Sequence, residues 1–390
     1  EYMSLKILFP PSGEGDCIIG IYVDENNNTH SLMVDCGVYT DEIHQIVKDR
    51  LNNKIDCLVV THIDIDHING VVKMLRKNPD LDIGKIIYNG STRLCEDEPE
   101  KKRLEKIKQR LVELDPNFIE DEIAAKNAAS LTFLIVNSEK WRNIWIENVT
   151  TEQQEMNLGD LGKLYFLSPT KESLEALEED YKKEYVRLFY EMENGSSGSL
   201  RELVLRYREK REKEINRECK ISASIVNEAT LKKYASTNDS IDASISNNAS
   251  LAFVWEVAGK KCLLLGDANP RIVIEQLEEY RKSRNLQDKS ILFDVVKISH
   301  HGSSHNTTVE LMSLIDSCNF IICGYNSDVA PSLQTIAKII MKEPNPHVSL
   351  RHVFMNTHKY KNSEIEFLKK NPIEDIPEYE LNVKTEIDLG

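Results

Sequence analysis

The chain is short of positive charge. Its 390 residues include 49 Lys and Arg against 64 Asp and Glu, which gives a formal net charge of −15. An acidic surface repels polyanions, so the composition argues against a protein that coats nucleic acid over a broad face. It leaves phosphoester chemistry at one spot open, because bound cations can be the largest local charges of a site.

Paired metal-binding cysteines and membrane-spanning runs are missing as well. The eight cysteines are scattered and form no Cys-x-x-Cys pair, which favours reduced, buried cysteines of a cytosolic protein. No apolar run approaches the ~18 residues of a membrane span. The first residues, EYMSLKILFPP, lack a signal-peptide pattern. We therefore expect a cytoplasmic protein that does not bind membranes.

Strand-like and helix-like segments alternate at both ends of the chain. Residues 5–9, 17–23 and 31–35 are predicted strands, separated by the turn signals GEGD and ENNN. A helix over 41–51, a buried strand over 55–60, a helix over 70–77 and a strand over 85–89 follow. After about residue 220 the predicted strands are 250–257, 261–267, 293–299, 319–323 and 352–357, the last of them as the final core strand, with helices over 271–284 and 331–342. This alternation predicts an α/β fold.

The central part is charged and helical in pattern. Residues 97–128, 171–192 and 200–217 carry apolar side chains at helical spacing among many charges. A predicted strand at 163–169 interrupts them. We interpret the whole chain, 1–390, as a single domain with helical insertions at about 95–130 and 171–220.

The stretch THIDIDHING at 61–70 concentrates ligand-type side chains directly after a predicted buried strand. Residues two apart in an extended segment point the same way, so His62, Asp64 and Asp66 can converge. His67 can turn in from the start of the next helix. Imidazole nitrogen and carboxylate oxygen together suit zinc, manganese or iron. The alternative is an Asx-rich helix cap with solvated histidines.

Two further clusters follow predicted strands downstream. Asp267 ends the strand 261–267 in a Gly-Asp pair, a pattern that by itself is typical of a turn. His300 and His301 open the sequence HHGS, where adjacent side chains point in different directions; alone, they could be a surface pair. Open α/β sheets bind ligands beyond the carboxyl ends of their strands. Together the three clusters predict one metal site at that edge.

This combination resembles the metallo-β-lactamase superfamily, which is marked by an HxHxDH loop, a later strand-terminal Asp and further His ligands. Here the loop is HxDxDH, with Asp64 in the place of the second histidine. No histidine occurs between His67 and His300, so the histidine of the third motif is missing. The resemblance implies an α/β fold of four layers, an αββα sandwich, here with helical insertions.

The chain looks most like the ComEC-type branch, the DNA-uptake-associated metallohydrolase domains and their stand-alone relatives. That branch also tends to lack the third-motif histidine. The resemblance covers roughly residues 5–90, 160–170 and 245–360. The segments that carry it are GEGDCIIG, LMVDCG, VVTHIDIDHINGV, FLSPT, NNASLAFVWEVAGKKCLLLGD and DVVKISHHGS. It implies a phosphodiesterase or nuclease that acts on a phosphoester, such as DNA or a nucleotide.

The resemblance also implies two divalent metal ions, zinc or manganese, with shared ligands. The implied ligand sets are His62, Asp64 and Asp267 for one ion, and Asp66, His67, Asp267 and one of His300 and His301 for the other, with His301 favoured as the ligand. In catalysis, Asp66 or Asp267 would orient an activated water, with Asp66 favoured, and His300 would protonate the leaving oxygen.

Ser303 and His305 are expected to contact the substrate, although a solvated loop histidine is an equal reading of His305. Two other functions stay open. One is a metallohydrolase of a small carbonyl ester, lactone or lactam. The other is a partner-binding effector module of a multi-protein bacterial system, docking through the helical insertions.

Overall fold

The structure is a computed structural model. It describes residues 3–90, 131–132, 134–136, 138–180, 226–325, 330–357, 363–371, 373 and 376–390. The predicted insertion at about 95–130 and most of the one at 171–220 lie outside the described residues. Residues 171–180, the described start of the second insertion, are helical as predicted.

Two mixed sheets form the centre of the molecule. The first sheet has the spatial order β19-β1-β2-β3-β5-β7-β8 and the second β18-β17-β16-β14-β12-β11-β10-β9. The strands of the first sheet, numbered along the chain, are β1 (Ser4–Leu8), β2 (Ile18–Val23), β3 (Thr29–Val34), β5 (Cys57–Val60), β7 (Ile86–Tyr88), β8 (Trp145–Ile146) and β19 (Glu386–Asp388). Those of the second are β9 (Glu155–Asn157), β10 (Lys163–Ser168), β11 (Ala252–Val257), β12 (Lys260–Leu264), β14 (Val295–Lys297), β16 (Asn319–Ile322), β17 (Arg351–Met355) and β18 (Tyr379–Val383).

Helices cover the outer faces of both sheets. The described helices are α1 (Asp41–Gln45), which continues into a π-helical turn (Ile46–Arg50), α2 (Ile65–Lys77), α3 (Glu139–Arg142), α4 (Glu228–Ala235), α5 (Ile245–Asn248), α6 (Pro270–Ser283), α7 (Val309–Leu314), α8 (Leu333–Ile340) and α9 (Ser363–Lys370). Two short parallel strand pairs form separate two-stranded sheets: β4 (Lys54–Ile55) with β6 (Asp82–Ile83), and β13 (Ile291–Phe293) with β15 (Ile315–Ser317).

Alternating side chains build the four layers. In β11, Phe253 and Trp255 belong to the core between the two sheets, whereas Ala252 and Val254 belong to the core under α4 and α6 to α9. A third core lies between the first sheet and α1 and α2. Both faces of each sheet are therefore buried, which explains the near-continuous apolar runs. The predicted αββα sandwich is confirmed.

One aromatic side chain fixes the contact between the sheets. Trp255 is buried, and its indole Nε1 donates a hydrogen bond of 2.7 Å to the Leu161 carbonyl oxygen. A Cβ on Gly20 would lie 2.3 Å from Trp255 Cζ3. The glycine in β2 therefore makes room for the indole across the sandwich.

Two sequence predictions about the elements are wrong. The helix predicted to begin at residue 70 begins at Ile65, because Asp64 takes the extended N-cap conformation and its carbonyl accepts from His67 N at 3.0 Å. The strand predicted to be the last is followed by β18, parallel to β17, and by β19, antiparallel to β1. Both late strands are half-exposed and rich in charge, as is common at sheet edges, so they lack a buried-strand pattern.

Two other expectations concern the whole chain. No helix in the described ranges is long and apolar enough to cross a membrane. Six cysteines lie in those ranges; all are free, and five of them are buried.

Candidate metal centre

The predicted ligands meet at the carboxyl ends of two parallel strand pairs, one from each sheet. His62 follows β5, which runs parallel to β3, and Asp267 and His301 follow β12 and β14. The Nε2 atoms of four histidines lie between 3.4 and 3.9 Å from a single oxygen, Asp267 Oδ2. The four are His62, His67, His300 and His301. The three clusters thus form one site, although 200 residues separate His67 from Asp267 in the sequence.

A hydrogen-bond network behind the site assigns the tautomers of the first two histidines. Asp35 accepts from Thr61 N at 2.7 Å, from Thr61 Oγ1 at 2.7 Å and from His67 Nδ1 at 2.8 Å. Since the Thr61 hydroxyl proton goes to Asp35, Thr61 Oγ1 accepts from His62 Nδ1 at 3.0 Å. Both Nδ1 atoms therefore carry protons, and in the neutral rings the lone pair is on Nε2, facing Asp267.

His301 is oriented in the same way. Its Nδ1 donates to the Cys323 carbonyl oxygen at 2.9 Å and lies 3.2 Å from Asp16 Oδ1. Its Nε2 lies 3.0 Å from Asp66 Oδ2. Asp66 is therefore at the site, as predicted, although part of its side chain is exposed.

A buried lysine supports this arrangement. The Lys297 ammonium contacts Asp16 Oδ2, donates to the Gly266 carbonyl oxygen at 3.1 Å and lies 4.0 Å from Asp267 Oδ1. Burial alone would raise the pKa of Asp16, but Lys297 and His301 hold it below its usual range. Lys297 thus stabilises two carboxylates at the centre without itself being a metal ligand.

The first histidine of the HHGS pair, His300, faces outward. Asn306 Nδ2 donates to the Asp267 carbonyl oxygen at 3.1 Å, which fixes the amide so that its Oδ1 accepts from His300 Nδ1 at 2.9 Å. The His300 side chain is 29% exposed and that of His301 only 3%. Both residues have positive φ, 49° and 52°, a strained conformation that tends to occur at functional sites. The division of roles between the two histidines stays a prediction.

The turn GEGD packs directly on the ligand loop. Asp16 N donates to the Asp66 carbonyl oxygen at 3.1 Å. A Cβ on Gly15 would lie 1.6 Å from that oxygen, and one on Gly37 would lie 2.3 Å from it. Only glycine permits this close approach of three backbone segments, which places Asp16 behind His301.

The donor atoms suit a metal ion. Within the residues that the structure describes, His62 Nε2, His67 Nε2 and Asp267 Oδ1 are buried and make no hydrogen bond, which is costly for polar atoms unless another partner binds them. Two sets of ligand atoms within 4.8 Å of one another face the centre. They are His62, His67 and Asp267, and Asp66, His67 and His301. Nitrogen and oxygen donors in this mixture fit zinc or manganese.

These sets differ from the implied ones at two residues: His67 replaces Asp64 in the first set, and Asp267 is absent from the second. Asp64 Oδ2 lies 3.8 Å from His62 Nε2, but His67 takes its place in the first set. The reason is that α2 begins at Ile65, so the alternation of an extended segment ends at Asp64 and the first helical turn brings His67 beside His62. The two imidazole centroids are 4.2 Å apart.

The site is strongly polarised. Burial alone would lower the pKa of His67, but Asp267 and Asp35 raise it well above its usual value. Burial alone would lower the pKa of His301, but Asp16, Asp267 and Asp66 raise it to about 10. Burial would raise the pKa of Asp267, but the surrounding histidines hold it well below its usual value. Without metal, protons on histidine balance the carboxylates.

The two predicted substrate residues shape the loop. Ser303 is buried; its N donates to the His300 carbonyl oxygen at 2.8 Å, and its Oγ accepts from His305 N at 3.3 Å. His305 Nδ1 donates to the Ser240 carbonyl oxygen at 2.5 Å. Contact of either residue with a substrate stays a prediction.

Sequence reasoning missed the supporting residues Asp16, Asp35, Thr61 and Lys297 as parts of the site. All four lie in quoted segments, GEGD, LMVDCG, VVTH and DVVKIS. The signal that could have identified them is a polar or charged side chain at the end of an apolar strand, where burial demands a partner.

Comparison with known proteins agrees with the fold. Residues 18–126 match the family described as the metallo-beta-lactamase superfamily. The match covers less than a third of the chain, so it shows a likeness of residues 18–126 to the metallo-β-lactamase superfamily, whose proteins are mostly metal-dependent hydrolases.

Solved structures give more distant likenesses, and no curated protein matches the chain. One is the metallo-beta-lactamase fold protein YhfI from Bacillus subtilis, at 8% identity and a TM-score of 0.37, with both chains covered completely. Another is a variant of the β-hydroxylase CmlA, at 8% identity and a TM-score of 0.36, with all of this chain and 54% of that chain covered.

Proposed function

We propose that this protein is a metal-dependent phosphodiesterase that uses two divalent cations, zinc or manganese. The observation that carries the proposal is the convergence of four imidazole Nε2 atoms on Asp267 Oδ2, at 3.4 to 3.9 Å. In each ring, Nδ1 is bonded to another group, which leaves Nε2 for a ligand or a substrate.

The charge of the site supports the number of ions. In the described part of the chain, five carboxylates lie within 4 Å of His62, His67 or His301, together with one buried ammonium, Lys297; a sixth carboxylate, Asp242, lies beside His300 and is not counted here. With neutral histidines the net charge is minus four, which two divalent cations neutralise. A dry site with that uncompensated charge would be strongly unfavourable. The carboxylates are Asp16, Asp35, Asp64, Asp66 and Asp267.

The residues of the site have distinct chemical tasks. Bound divalent cations supply Lewis acidity and lower the pKa of water towards neutrality. Asp66 has one carboxylate oxygen beside His301 and a partly exposed side chain, so it can accept a proton from an attacking water. The His300 side chain is partly exposed, and its Nε2 lies 3.8 Å from Asp267 Oδ2, so it can donate a proton to the leaving oxygen.

The choice of phosphodiesters over carbonyl substrates is supported by the HxDxDH and HHGS loops, which resemble those of the ComEC-type branch. The net charge of −15 favours a short substrate, such as a nucleotide or a DNA end, over a long duplex. A cytoplasmic location is part of the proposal. A protein partner would bind the helical insertions, which lie mostly outside the described residues.

The test is cleavage by metal-loaded protein of bis-p-nitrophenyl phosphate, a DNA oligonucleotide and nitrocefin. We expect cleavage of the phosphodiesters, abolished by a chelator and reduced about 10²- to 10⁴-fold in Asp66→Ala. The exposed Asp288→Ala serves as the matched control and should keep wild-type activity. Cleavage of nitrocefin alone would favour a carbonyl hydrolase. No cleavage by protein that retains its metal would favour a partner-binding module.

A further inference from the structure

Residues 238–244, here called the strap, run alongside the loop that carries the histidine pair. The Asn238 side-chain oxygen accepts from Val309 N at 2.7 Å, and the Ser240 carbonyl oxygen accepts from His305 Nδ1 at 2.5 Å. The strap lies outside every motif that resembles a known family. The resemblance therefore implies no role for the strap, and its role has to be inferred from its contacts.

One strap residue reaches the site. Asp242 Oδ2 lies 3.4 Å from His300 Nδ1, on the same side as the Asn306 acceptor. The carboxylate also accepts from Ser244 N at 2.9 Å and from Asn247 Nδ2 at 2.5 Å. Burial alone would raise the pKa of Asp242, but the hydrogen bonds from His300, Ser244 and Asn247 hold it well below its usual range. Asp242 therefore faces His300 as a charged carboxylate.

We propose that Asp242 is a positioning residue, which with Asn306 holds the exposed His300 ring so that Nε2 faces Asp267 and the leaving oxygen of the substrate. This inference rests on the proposed function. The imidazole is rigid, so fixing Nδ1 towards the strap points the opposite edge to the centre, where Nε2 lies 3.8 Å from Asp267 Oδ2. Asn306 alone offers one neutral acceptor, which leaves a 29%-exposed ring free to rotate.

A purely architectural role is the competing explanation. Asp242 Oδ1 accepts from the backbone two residues ahead, at Ser244, as in the Asx turns that precede helices. Asp242→Asn keeps this acceptor but removes the charge facing His300. Asp242→Ala removes both. The control is Asp239→Ala, which deletes a strap carboxylate whose Oδ1 accepts from Gln334 Nε2 at 3.4 Å rather than from His300.

The first measurement compares leaving groups in the full-length, zinc-loaded protein. Diphenyl phosphate releases a poor leaving group that needs a proton, whereas bis-p-nitrophenyl phosphate releases a good one that does not. In Asp242→Ala we expect kcat to fall about 10- to 100-fold for diphenyl phosphate and less than about threefold for the nitrophenyl ester. Asp242→Asn should show a smaller selective loss, and Asp239→Ala none.

The double variant Asp242→Ala/His300→Ala tests whether Asp242 acts through His300. It should be no slower than His300→Ala alone. Equal losses on both substrates, or additive losses in the double variant, would overturn the inference.

The second measurement does not depend on turnover. In zinc-loaded protein labelled with ¹⁵N-histidine, His300 should show a protonated Nδ1 that is perturbed in Asp242→Ala and unchanged in Asp239→Ala. If wild type cleaves neither ester, the proposed function fails, and this signal alone decides the positioning role. An unaltered His300 signal in Asp242→Ala would refute it.

Discussion

The site has two walls that are built differently. The inner wall consists of His62, His67 and His301, whose side chains are at most 3% exposed and whose Nδ1 atoms are bonded within the core. The outer wall is His300, which is 29% exposed and held by two loop side chains. In the proposed function, metal retention would be tied to the folded core, whereas the handling of the substrate would depend on loops that can vary independently.

The largest effect should come from Asp267→Asn, which breaks both walls at once. Its Oδ2 lies near all four Nε2 atoms, so the change should remove metal and lower kcat more than about 10³-fold, since metal is what brings the pKa of water from 15.7 towards ~7. Metal content by mass spectrometry and phosphodiester turnover check this. Two ions per chain with wild-type kcat would contradict it.

Lys297→Met should destabilise the protein, because it removes the positive charge behind the inner wall. The buried Asp16 carboxylate would lose its ammonium partner, and breaking a buried ion pair on one side costs about 3–5 kcal/mol. Urea unfolding of the metal-free protein measures the loss. Adding Asp16→Asn to Lys297→Met should restore most of the stability. A single variant as stable as wild type would show that the pair contributes little.

Asp35→Asn, a change behind the inner wall, should lower the affinity for zinc, whereas a change at the outer wall should not. The carboxylate accepts from Thr61 N on one oxygen and from Thr61 Oγ1 and His67 Nδ1 on the other. An amide would set its NH2 against one of these donors, so zinc affinity should fall about 10- to 100-fold. Asp242→Asn, on the outer wall, should leave zinc affinity unchanged. Competition with a chromophoric chelator gives both values. Equal losses in the two variants would abolish the distinction.

The last prediction concerns the pH dependence of the stability of the metal-free protein, to which the inner wall contributes. The His301 pKa is about 10 in the fold against about 6.5 in an unfolded chain. Because the folded value is raised, its stabilisation is complete below about pH 6.5 and is lost as the pH rises through about 10. The metal-free protein should lose stability from neutral to alkaline pH, with a slope up to about 1.4 kcal/mol per pH unit. His301→Gln should flatten the slope; an unchanged slope would assign it elsewhere.

The inner wall's ligands could be predicted from the sequence because they stand at the ends of apolar strands. Asp267 and His301 follow such runs, and the same pattern predicts an α/β fold, whereas its four layers were implied by the resemblance to the metallo-β-lactamase superfamily. Their supporters could not be assigned, since a carboxylate beside Nδ1, such as Asp35, and one beside Nε2, such as Asp267, look alike until the strands are placed.

Asp242 carries even less signal. It lies among Ser, Asn and Asp in a segment that is typical of a solvated turn, and only tertiary contact brings it to His300. The late strands β18 and β19 were missed for a related reason, because edge strands with charged residues lack the apolar pattern that marks a buried strand.

The meeting of distant ligands has a consequence for biosynthesis. Asp267 follows His67 by 200 residues, so at about 5–20 residues per second a ribosome releases the first ligand loop about 10 to 40 s before the carboxylate that completes it. During that interval the nascent chain offers only a partial chelate. Metal loading is therefore expected to be a late step, which makes the ions that are available when synthesis ends decisive for which metal the protein receives.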